Sequence, residues 1–241
     1  MVFVDYEYWF YSYRNQYHIW PDPKHFREML ISEFDIADIM IFGDFSSPVI
    51  SPELGNVRNI TNTIIETGNS FQRHKKDMTD FVILDYIYRC EDDNKNIGTY
   101  IIFSGDGHFQ SVVKHLVQRK KKRVVVYGIK DTVSKQLQAV ASEVRLLPTD
   151  EEIRRQLYRL IASNMAYAQT IPTIIPSFNG TVDAVVNRNH VDRNEVRAAL
   201  SEILEQGYLY QRERIMDTGR TIKVMMADWD KLDADGIWKH I

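Results

Sequence analysis

The chain has 241 residues, a formal net charge of −3 and 44% hydrophobic residues. This length and composition indicate one or two globular domains with a sizeable core, and they exclude a disordered or fibrous chain. The single cysteine, Cys90, excludes a disulfide framework and a cysteine-based zinc site, and it is typical of a reducing compartment. No apolar stretch approaches the roughly 18 residues that span a bilayer, and the chain begins almost directly with an apolar run. We therefore expect a cytoplasmic protein with no membrane partner.

Short apolar runs alternate with helical patterns over residues 1–147. Strands are predicted at 2–5, 38–43, 61–67, 99–103, 123–127 and 143–147. The clearest helix is 108–120, in which apolar residues recur at helical spacing from Phe109 to Val117. Another helix, expected to begin near Asp80, is apolar nearly all round and is predicted to be deeply buried. The alternation predicts an α/β domain with an open, mostly parallel sheet and helices on both faces.

The pattern changes after residues 148–150, Pro-Thr-Asp. Three helical segments are predicted at 150–166, 181–187 and 193–206. Asp192 is expected to cap the third, with Glu195 in a capping-box position. Two apolar stretches around a polar turn at 217–220 then predict a β-hairpin. Three helices followed by a hairpin predict a smaller α+β, winged-helix-like domain over 150–241, which would bind nucleic acid or protein.

Four aspartates stand at the ends or starts of these segments. Asp5, Asp44 and Asp106 directly follow apolar runs, and Asp80 opens the run of the buried helix. In an open parallel sheet the strands finish at one edge, and ligands bind in the crevice there. Carboxylates crowded at that edge repel one another unless a cation lies between them. The sequence therefore predicts a divalent-metal site.

A strand-to-helix turn at 104–109, Ser-Gly-Asp-Gly-His-Phe, carries the third of these aspartates. Its small residues let the backbone bend tightly and let a ligand approach closely. Together with residues 2–7, Val-Phe-Val-Asp-Tyr-Glu, and 79–81, Thr-Asp-Phe, this turn resembles the NYN family of PIN-like nucleases. The resemblance covers roughly residues 1–147. It implies cleavage of a phosphodiester that depends on Mg²⁺ or Mn²⁺, with RNA as the expected substrate and DNA as the alternative.

The resemblance also assigns roles to the acids. The family's metal-binding acids fall on Asp5, Asp80 and Asp106, which are the expected catalytic residues, and Asp44 matches a fourth acid found in some members. The chemistry agrees with these residue types, because carboxylates hold hard cations through oxygen. The cation in turn generates hydroxide from a bound water and stabilises the oxygens of the reacting phosphate.

Substrate contacts are expected from two segments close to the acids. Ser104, Gly105 and Gly107 surround the third acid and should lie beside the substrate. Lys75 and Lys76 precede the helix that carries Asp80, where they could contact phosphate groups.

Two positions depart from the family's pattern. Members often carry Asn three residues after the first Asp, where this chain has Tyr8, and Asp two residues after the third acid, where it has His108. His108 could bind a softer metal such as Mn²⁺ or act as a catalytic proton donor to the leaving group. It could equally mark a lost ligand in a weakened enzyme.

Each feature also has a purely structural interpretation. Asp5 and Asp106 could accept hydrogen bonds from loop amides, Asp80 could cap its helix, and Asp44 lies in a turn-rich stretch where Asp is common. The basic run 119–123 is predicted to be a solvated helix end.

The aromatic residues spaced at helical intervals from Tyr6 to Trp20 are predicted to pack in the core or across a homodimer interface. Stacking on unpaired bases is the alternative for these rings.

The sequence thus predicts a metal-dependent ribonuclease, expected to be an endoribonuclease. One alternative is a catalytically weak or inactive NYN protein that acts as a nucleic-acid-binding or regulatory module, which the changes at Tyr8 and His108 favour. A second is a phosphohydrolase of small phosphoesters, although the chain lacks an early Asp-x-Asp nucleophile pair.

Overall fold

Strand and helix alternate through the first part of the chain, and helices dominate the rest. The structure, a computed structural model, describes residues 1–68, 76–171, 173–215, 219 and 221–239. It divides into two units, Met1–Pro148 and Thr149–Ile241. Within the described residues, no helix combines the length and apolar character that crossing a membrane requires.

A six-stranded parallel sheet organises the first unit. Its strands are β1 (Val2–Asp5), β2 (Ile39–Gly43), β3 (Ile64–Glu66), β4 (Thr99–Phe103), β5 (Arg123–Ile129) and β6 (Glu143–Leu147). The strands lie in the order β3-β2-β1-β4-β5-β6, and every neighbouring pair is parallel. Because the strand order reverses between β1 and β4, a crevice opens at their carboxyl ends, where ligands bind in such sheets. The predicted open parallel sheet is confirmed.

Helices cover both faces of this sheet. They are α1 (Tyr6–Ser12), α2 (Pro23–Glu33), α3 (Leu54–Arg58), α4 (Lys76–Asp93), α5 (Gln110–Lys114) and α6 (Lys135–Val140). Successive side chains of a strand point to opposite faces, so Val2 and Val4 join one apolar layer and Phe3 joins the other. The two layers hold the sheet edge, and thus the ends of β1 and β4, in a fixed position.

The aromatic residues near the amino terminus belong largely to the core. Tyr6, Trp9 and Tyr13 are buried, and the Trp9 ring stacks on Phe103 with centroids 4.6 Å apart. Trp20, by contrast, is 54% exposed. Core packing is therefore confirmed for the first three rings.

Helix α4 differs from its prediction in two respects. Its described part already begins at Lys76, so Asp80 lies inside the helix rather than at its start. The helix is also not buried all round, because Phe81 is 63% exposed whereas Ile83 and Ile87 are buried. At 3.6 residues per turn, positions 80, 83 and 87 share the face that packs on the sheet, and position 81 points away from it.

The helical segment after β4 is confirmed, although it is not uniform. A 3₁₀ turn (Gly107–Phe109) precedes α5, and a π-helical turn (His115–Arg119) follows it. The apolar face expected from the sequence, including Val112 and Leu116, is buried.

The basic run after this segment was predicted to be a solvated helix end. That holds for Arg119, Lys121 and Arg123, which are exposed. It is wrong for Lys120 and Lys122. The ammonium groups of Lys120 and Lys122 lie 3.4 and 3.8 Å from the carboxylate of Glu91, which is 3% exposed. The hydroxyl of Tyr100 donates a hydrogen bond of 2.9 Å to the same carboxylate. Burial alone would raise the pKa of Glu91, but these three partners together lower it below its usual range. A buried carboxylate is costly unless it is paired and hydrogen-bonded, and the two lysines meet this need of Glu91.

The second unit consists of helices and one hairpin. Its elements are α7 (Asp150–Gln169), α8 (Phe178–Asn189), α9 (Arg193–Glu205), β7 (Leu209–Ile215), β8 (Thr221–Ala227) and α10 (Trp229–Ala234). Thr149 and Glu152 form a reciprocal capping box on α7, and Asp192 caps α9 by accepting hydrogen bonds from the amides of Asn194 and Glu195. Three helices followed by an antiparallel hairpin agree with the predicted element order.

The hairpin is anchored at its base and exposed along its first strand. Leu209 in β7 and Met225 in β8 are buried in the core of the second unit. The amide of Met225 also donates a hydrogen bond to the carbonyl of Pro176, which extends the sheet by one connection. Residues 210–215 are exposed, so most of β7 presents both of its faces to solvent.

Candidate metal centre

Asp5 is the last residue of β1 and the N-cap of α1. Its Oδ1 accepts a 3.0 Å hydrogen bond from the amide of Tyr8, and the residue is 8% exposed. The apolar run of β1 places this carboxyl group at the sheet edge, and the following helix begins there. The structural role expected for Asp5 is therefore present, together with a position in the crevice.

Asp106 lies in the turn that follows β4. Its Oδ1 accepts a 2.8 Å hydrogen bond from the amide of His108, and its own amide donates to the hydroxyl of Ser104 at 3.3 Å. Ser104 is 1% exposed, so its hydroxyl supports the turn from inside. The side chain of Asp106 is 44% exposed. The turn therefore directs one partly accessible carboxylate toward the crevice.

Asp80 and His108 complete the group. Asp80 lies on the inner face of α4 and is 9% exposed. The Nδ1 atom of His108 is 3.3 Å from Oδ2 of Asp80 and 3.2 Å from Oδ1 of Asp106. Among the described residues, these three side chains each offer a ligand atom within 4.8 Å of the other two. Carboxylate oxygens and an imidazole nitrogen are both ligands for divalent metals, so the donor set fits a metal ion.

Asp5 is not part of this group of three, although its carboxyl group is close enough to feel the charges of Asp80 and Asp106. Burial raises the pKa of Asp5 to about 7, the hydrogen bond from the amide of Tyr8 opposes the rise, and the charges of Asp80, Glu7 and Asp106 add to it. Carboxylates that disfavour one another's ionised forms in this way are stabilised by a shared cation. This crowding is a second observation that fits a metal ion.

Glu7 is a further acid of the site that the sequence analysis did not single out. Its carboxylate accepts a hydrogen bond of 3.3 Å from the hydroxyl of Thr79, the neighbour of Asp80 in α4. The Thr79 hydroxyl is also 2.8 Å from that of Thr67, which follows β3. The sequence feature that could have identified Glu7 is its position as an acid in the first turn of the helix that Asp5 caps.

Asp44 follows β2 and is 7% exposed. Its Oδ1 accepts hydrogen bonds from the amide of Ser46 at 3.2 Å and from the hydroxyl of Ser46. It is not part of the group formed by Asp80, Asp106 and His108. Because β2 is separated from β4 by β1, its carboxyl group lies one strand farther from the crevice. Its role as a fourth ligand stays a prediction.

The two glycines of the turn make room for other parts of the protein. A Cβ atom on Gly105 would collide with the Tyr8 hydroxyl and lie 3.0 Å from the carbonyl oxygen of Thr132. A Cβ atom on Gly107 would lie 3.0 Å from the hydroxyl of Ser134. The small size of Gly105 is thus required by the protein's own packing, whereas a Cβ atom on Gly107 would only displace the Ser134 hydroxyl. The substrate contacts expected of Ser104, Gly105 and Gly107 stay a prediction.

Phosphate contacts were also predicted for two lysines near the start of α4. Lys75 and the side chain of Lys76 lie outside the described residues.

Comparisons with known proteins agree with this fold. Residues 1–147 match the model of the NYN domain family. The crystal structure of a protein of unknown function from Vibrio parahaemolyticus is similar to the chain, with a TM-score of 0.53 and 19% sequence identity, over 62% of this chain and 92% of that one. At this identity the likeness concerns the fold alone. A search of the curated proteins found no match.

The raised pKa of Asp5 predicts a pH dependence of stability that Asp5→Asn removes. Its pKa of about 7 in the folded protein exceeds the ordinary value of 3.8. Stability that is fully present below the ordinary value is therefore lost as the pH rises through the folded-state pKa. At about 1.4 kcal/mol per pKa unit, the free energy of unfolding of the metal-free wild type should fall by a few kcal/mol relative to Asp5→Asn.

Urea unfolding of both proteins in chelator, from about pH 4 to about pH 8, measures this difference. A difference that stays constant over this range would contradict the prediction.

Proposed function

The chain belongs to the NYN family, and from that membership we propose that it is a metal-dependent endoribonuclease, with DNA as the alternative substrate. NYN is a family of nucleases. The observation that carries the proposal is the convergence of Asp80, Asp106 and His108 within 4.8 Å of one another, beside the buried Asp5. These side chains come from three separate elements and meet in the crevice between β1 and β4, where an open parallel sheet binds its ligand.

Asp5, Asp80, Asp106 and His108 would hold a Mg²⁺ or Mn²⁺ ion. When bound, such a cation supplies positive charge that stabilises the oxygens of a reacting phosphodiester and activates water. The position of Nδ1 of His108, at 3.2–3.3 Å from both acids, favours a role as ligand over a role as proton donor. Imidazole is a better ligand for transition metals than for Mg²⁺, so this donor set favours Mn²⁺.

Backbone amides hold the acids in place before any substrate arrives. The amide of Tyr8 binds Oδ1 of Asp5, and the amide of His108 binds Oδ1 of Asp106. Because the pKa of Asp5 is raised to about 7, protons compete with a cation for this carboxyl group at neutral pH. Metal affinity should therefore increase as the pH rises through this range.

Replacing a central acid should abolish cleavage. We expect Asp80→Asn and Asp106→Asn each to lower kcat for RNA by about 100-fold or more, because each removes a carboxylate that would hold the cation at the reacting phosphate. Asp85→Asn is the matched control, since Asp85 lies on the same helix but pairs with Arg89 at the surface. Cleavage of labelled RNA and DNA with Mn²⁺, Mg²⁺ or chelator measures the effect.

Cleavage that persists in Asp106→Asn, or in chelator, would contradict this assignment. Wild-type protein that binds RNA without cleaving it would instead support the alternative, a NYN protein that acts as a nucleic-acid-binding or regulatory module. Hydrolysis of a chromogenic phosphomonoester as fast as RNA would indicate a small-molecule phosphohydrolase.

The imidazole of His108 should set the metal preference. In His108→Asp a carboxylate replaces the imidazole, as often found in the family, so we expect the ratio of Mn²⁺ to Mg²⁺ affinity to fall about ten-fold. Calorimetric titration of each metal measures the two dissociation constants. His25→Asp, which changes an exposed histidine in α2, is the control. An unchanged ratio in His108→Asp would exclude His108 as a ligand.

The second unit is proposed to be a winged-helix-like module that holds RNA through its hairpin. Because alternate residues of a strand share a face, Tyr210, Arg212 and Arg214 project from the same side of β7, and all three are exposed. Within the described residues, neither arginine forms an ion pair. Guanidinium groups bind phosphates, and a tyrosine ring can stack on an unpaired base. The overall charge of −3 does not oppose this contact, because binding depends on the local surface.

Removing the two arginines should weaken RNA binding without removing the cleavage site. We expect Arg212→Ala/Arg214→Ala to lower the affinity for single-stranded RNA about ten-fold at low salt. The slope of log affinity against log salt should become shallower by roughly 0.7 per lost phosphate contact. Fluorescence anisotropy at several salt concentrations, in chelator, measures both quantities.

The control Arg27→Ala/Arg89→Ala removes two exposed arginines from the first unit. Equal losses of affinity in both double variants would argue against a specific role of the hairpin.

A further inference from the structure

The hydroxyl group of Tyr8 connects α1 to the loop that follows β5. Its oxygen lies 2.6 Å from Oγ1 of Thr132 and accepts a 2.7 Å hydrogen bond from the amide of Ile129. The hydroxyl of Thr132 donates to the carbonyl of Ile129 at 2.9 Å. Since a threonine hydroxyl has one proton, the Tyr8 hydroxyl is the donor in its bond to Thr132. Both hydrogen-bonding functions of the Tyr8 hydroxyl are thus engaged by residues more than 120 positions away.

The same residue contacts the metal centre from two sides. Its amide holds Oδ1 of Asp5, as described above. Its hydroxyl occupies the space where Gly105 lacks a Cβ atom, directly before Asp106. The loop that the hydroxyl binds is also tied to this turn, because the amide of Ser134 donates a 2.8 Å hydrogen bond to the carbonyl of Gly105. Through its amide and its hydroxyl, this one residue therefore touches the ends of β1, β4 and β5.

Removal of the Tyr8 hydroxyl would leave the amide of Ile129 without a hydrogen-bond partner. Ile129 is fully buried, so its amide would lose its partner in a place that water does not reach. The loop would have to shift to satisfy that amide, and Gly105 would move with it through the bond from Ser134. The turn that carries Asp106 would then lose its fixed position relative to Asp5.

We propose that Tyr8 is a positioning residue of the metal centre, which fixes the turn of Asp106 against Asp5 through its hydroxyl group. For catalysis this proposal rests on the proposed nuclease function. It also gives a physical reason for the tyrosine at a position where family members often carry Asn. The side chain spans from α1 to the loop after β5, a distance that a shorter amide side chain would not cover.

Tyr8→Phe tests the proposal because it removes the hydroxyl alone. We expect the affinity for Mn²⁺, measured by calorimetry, to fall about 10-fold or more, as is typical for residues that orient metal ligands. Amide hydrogen exchange in segments 104–108 and 128–134 should accelerate about ten-fold, because the connecting hydrogen bonds are lost. In RNA cleavage, kcat should fall while KM changes little. Thr132→Val removes the other end of the connection and should reproduce these changes in weaker form.

Tyr100→Phe is the matched control. It removes a buried hydroxyl from β4, but that hydroxyl binds Glu91 rather than any residue near the candidate metal centre. We expect it to lower the melting temperature without changing the affinity for Mn²⁺.

If Tyr8→Phe binds Mn²⁺ as tightly as the wild type and its amides exchange at wild-type rates, the proposal is wrong. So would an equal loss of Mn²⁺ affinity in Tyr100→Phe, since the effect would then follow from general destabilisation. If the wild type binds Mn²⁺ but does not cleave RNA, the ribonuclease function fails, while metal affinity and exchange still decide the role of Tyr8. A wild type that binds no Mn²⁺ would overturn both.

Discussion

Repulsion among carboxylates at one edge of a parallel sheet is the constraint on which the site depends. Two buried acids of the protein, Glu91 and Asp5, have opposite surroundings and opposite pKa shifts. Glu91 is surrounded by Lys120, Lys122 and the Tyr100 hydroxyl, which lower its pKa and make it a structural group. Asp5 is buried with other acids as neighbours, and its burial first, and their charges in addition, raise its pKa to about 7. Burying like charges together costs free energy unless a cation or a proton offsets it. This energetic contrast supports the proposal that the second arrangement is a functional one.

The topology explains why the acids meet at this place. The strand order reverses between β1 and β4, which leaves a crevice beside the last residue of β1 and the turn after β4. Asp80 approaches from α4, whose inner face also carries Ile83 and Ile87 in the core. The same apolar packing that stabilises the domain therefore sets the positions of the candidate ligands. Hydrogen bonds to backbone amides then orient Asp5 and Asp106, so little rearrangement is needed on binding.

The proposed division of tasks between the two units rests on their surfaces. The first unit concentrates negative charge in a crevice. This charge attracts a cation, but without a bound cation it repels a polyanion. The second unit carries an exposed strand with two arginines and a tyrosine on one side. A nuclease needs both properties, since the acids supply chemistry while affinity for a phosphate backbone comes from guanidinium and ammonium groups. The overall net charge reveals neither property, because each depends on which residues share a surface.

The sequence alone determined the strands of the parallel sheet, the three helices and hairpin of the second unit, and the placement of Asp5 and Asp106, because short apolar runs form strands and polar residues end them. Tertiary structure decided the rest. The inner face of α4, the approach of Glu7 to Thr79 and the lysines around Glu91 all depend on which surfaces pack together. The contact of Tyr8 with Thr132 joins residues 124 positions apart. Local patterns carry no information on such contacts, since they arise from the packing of distant segments.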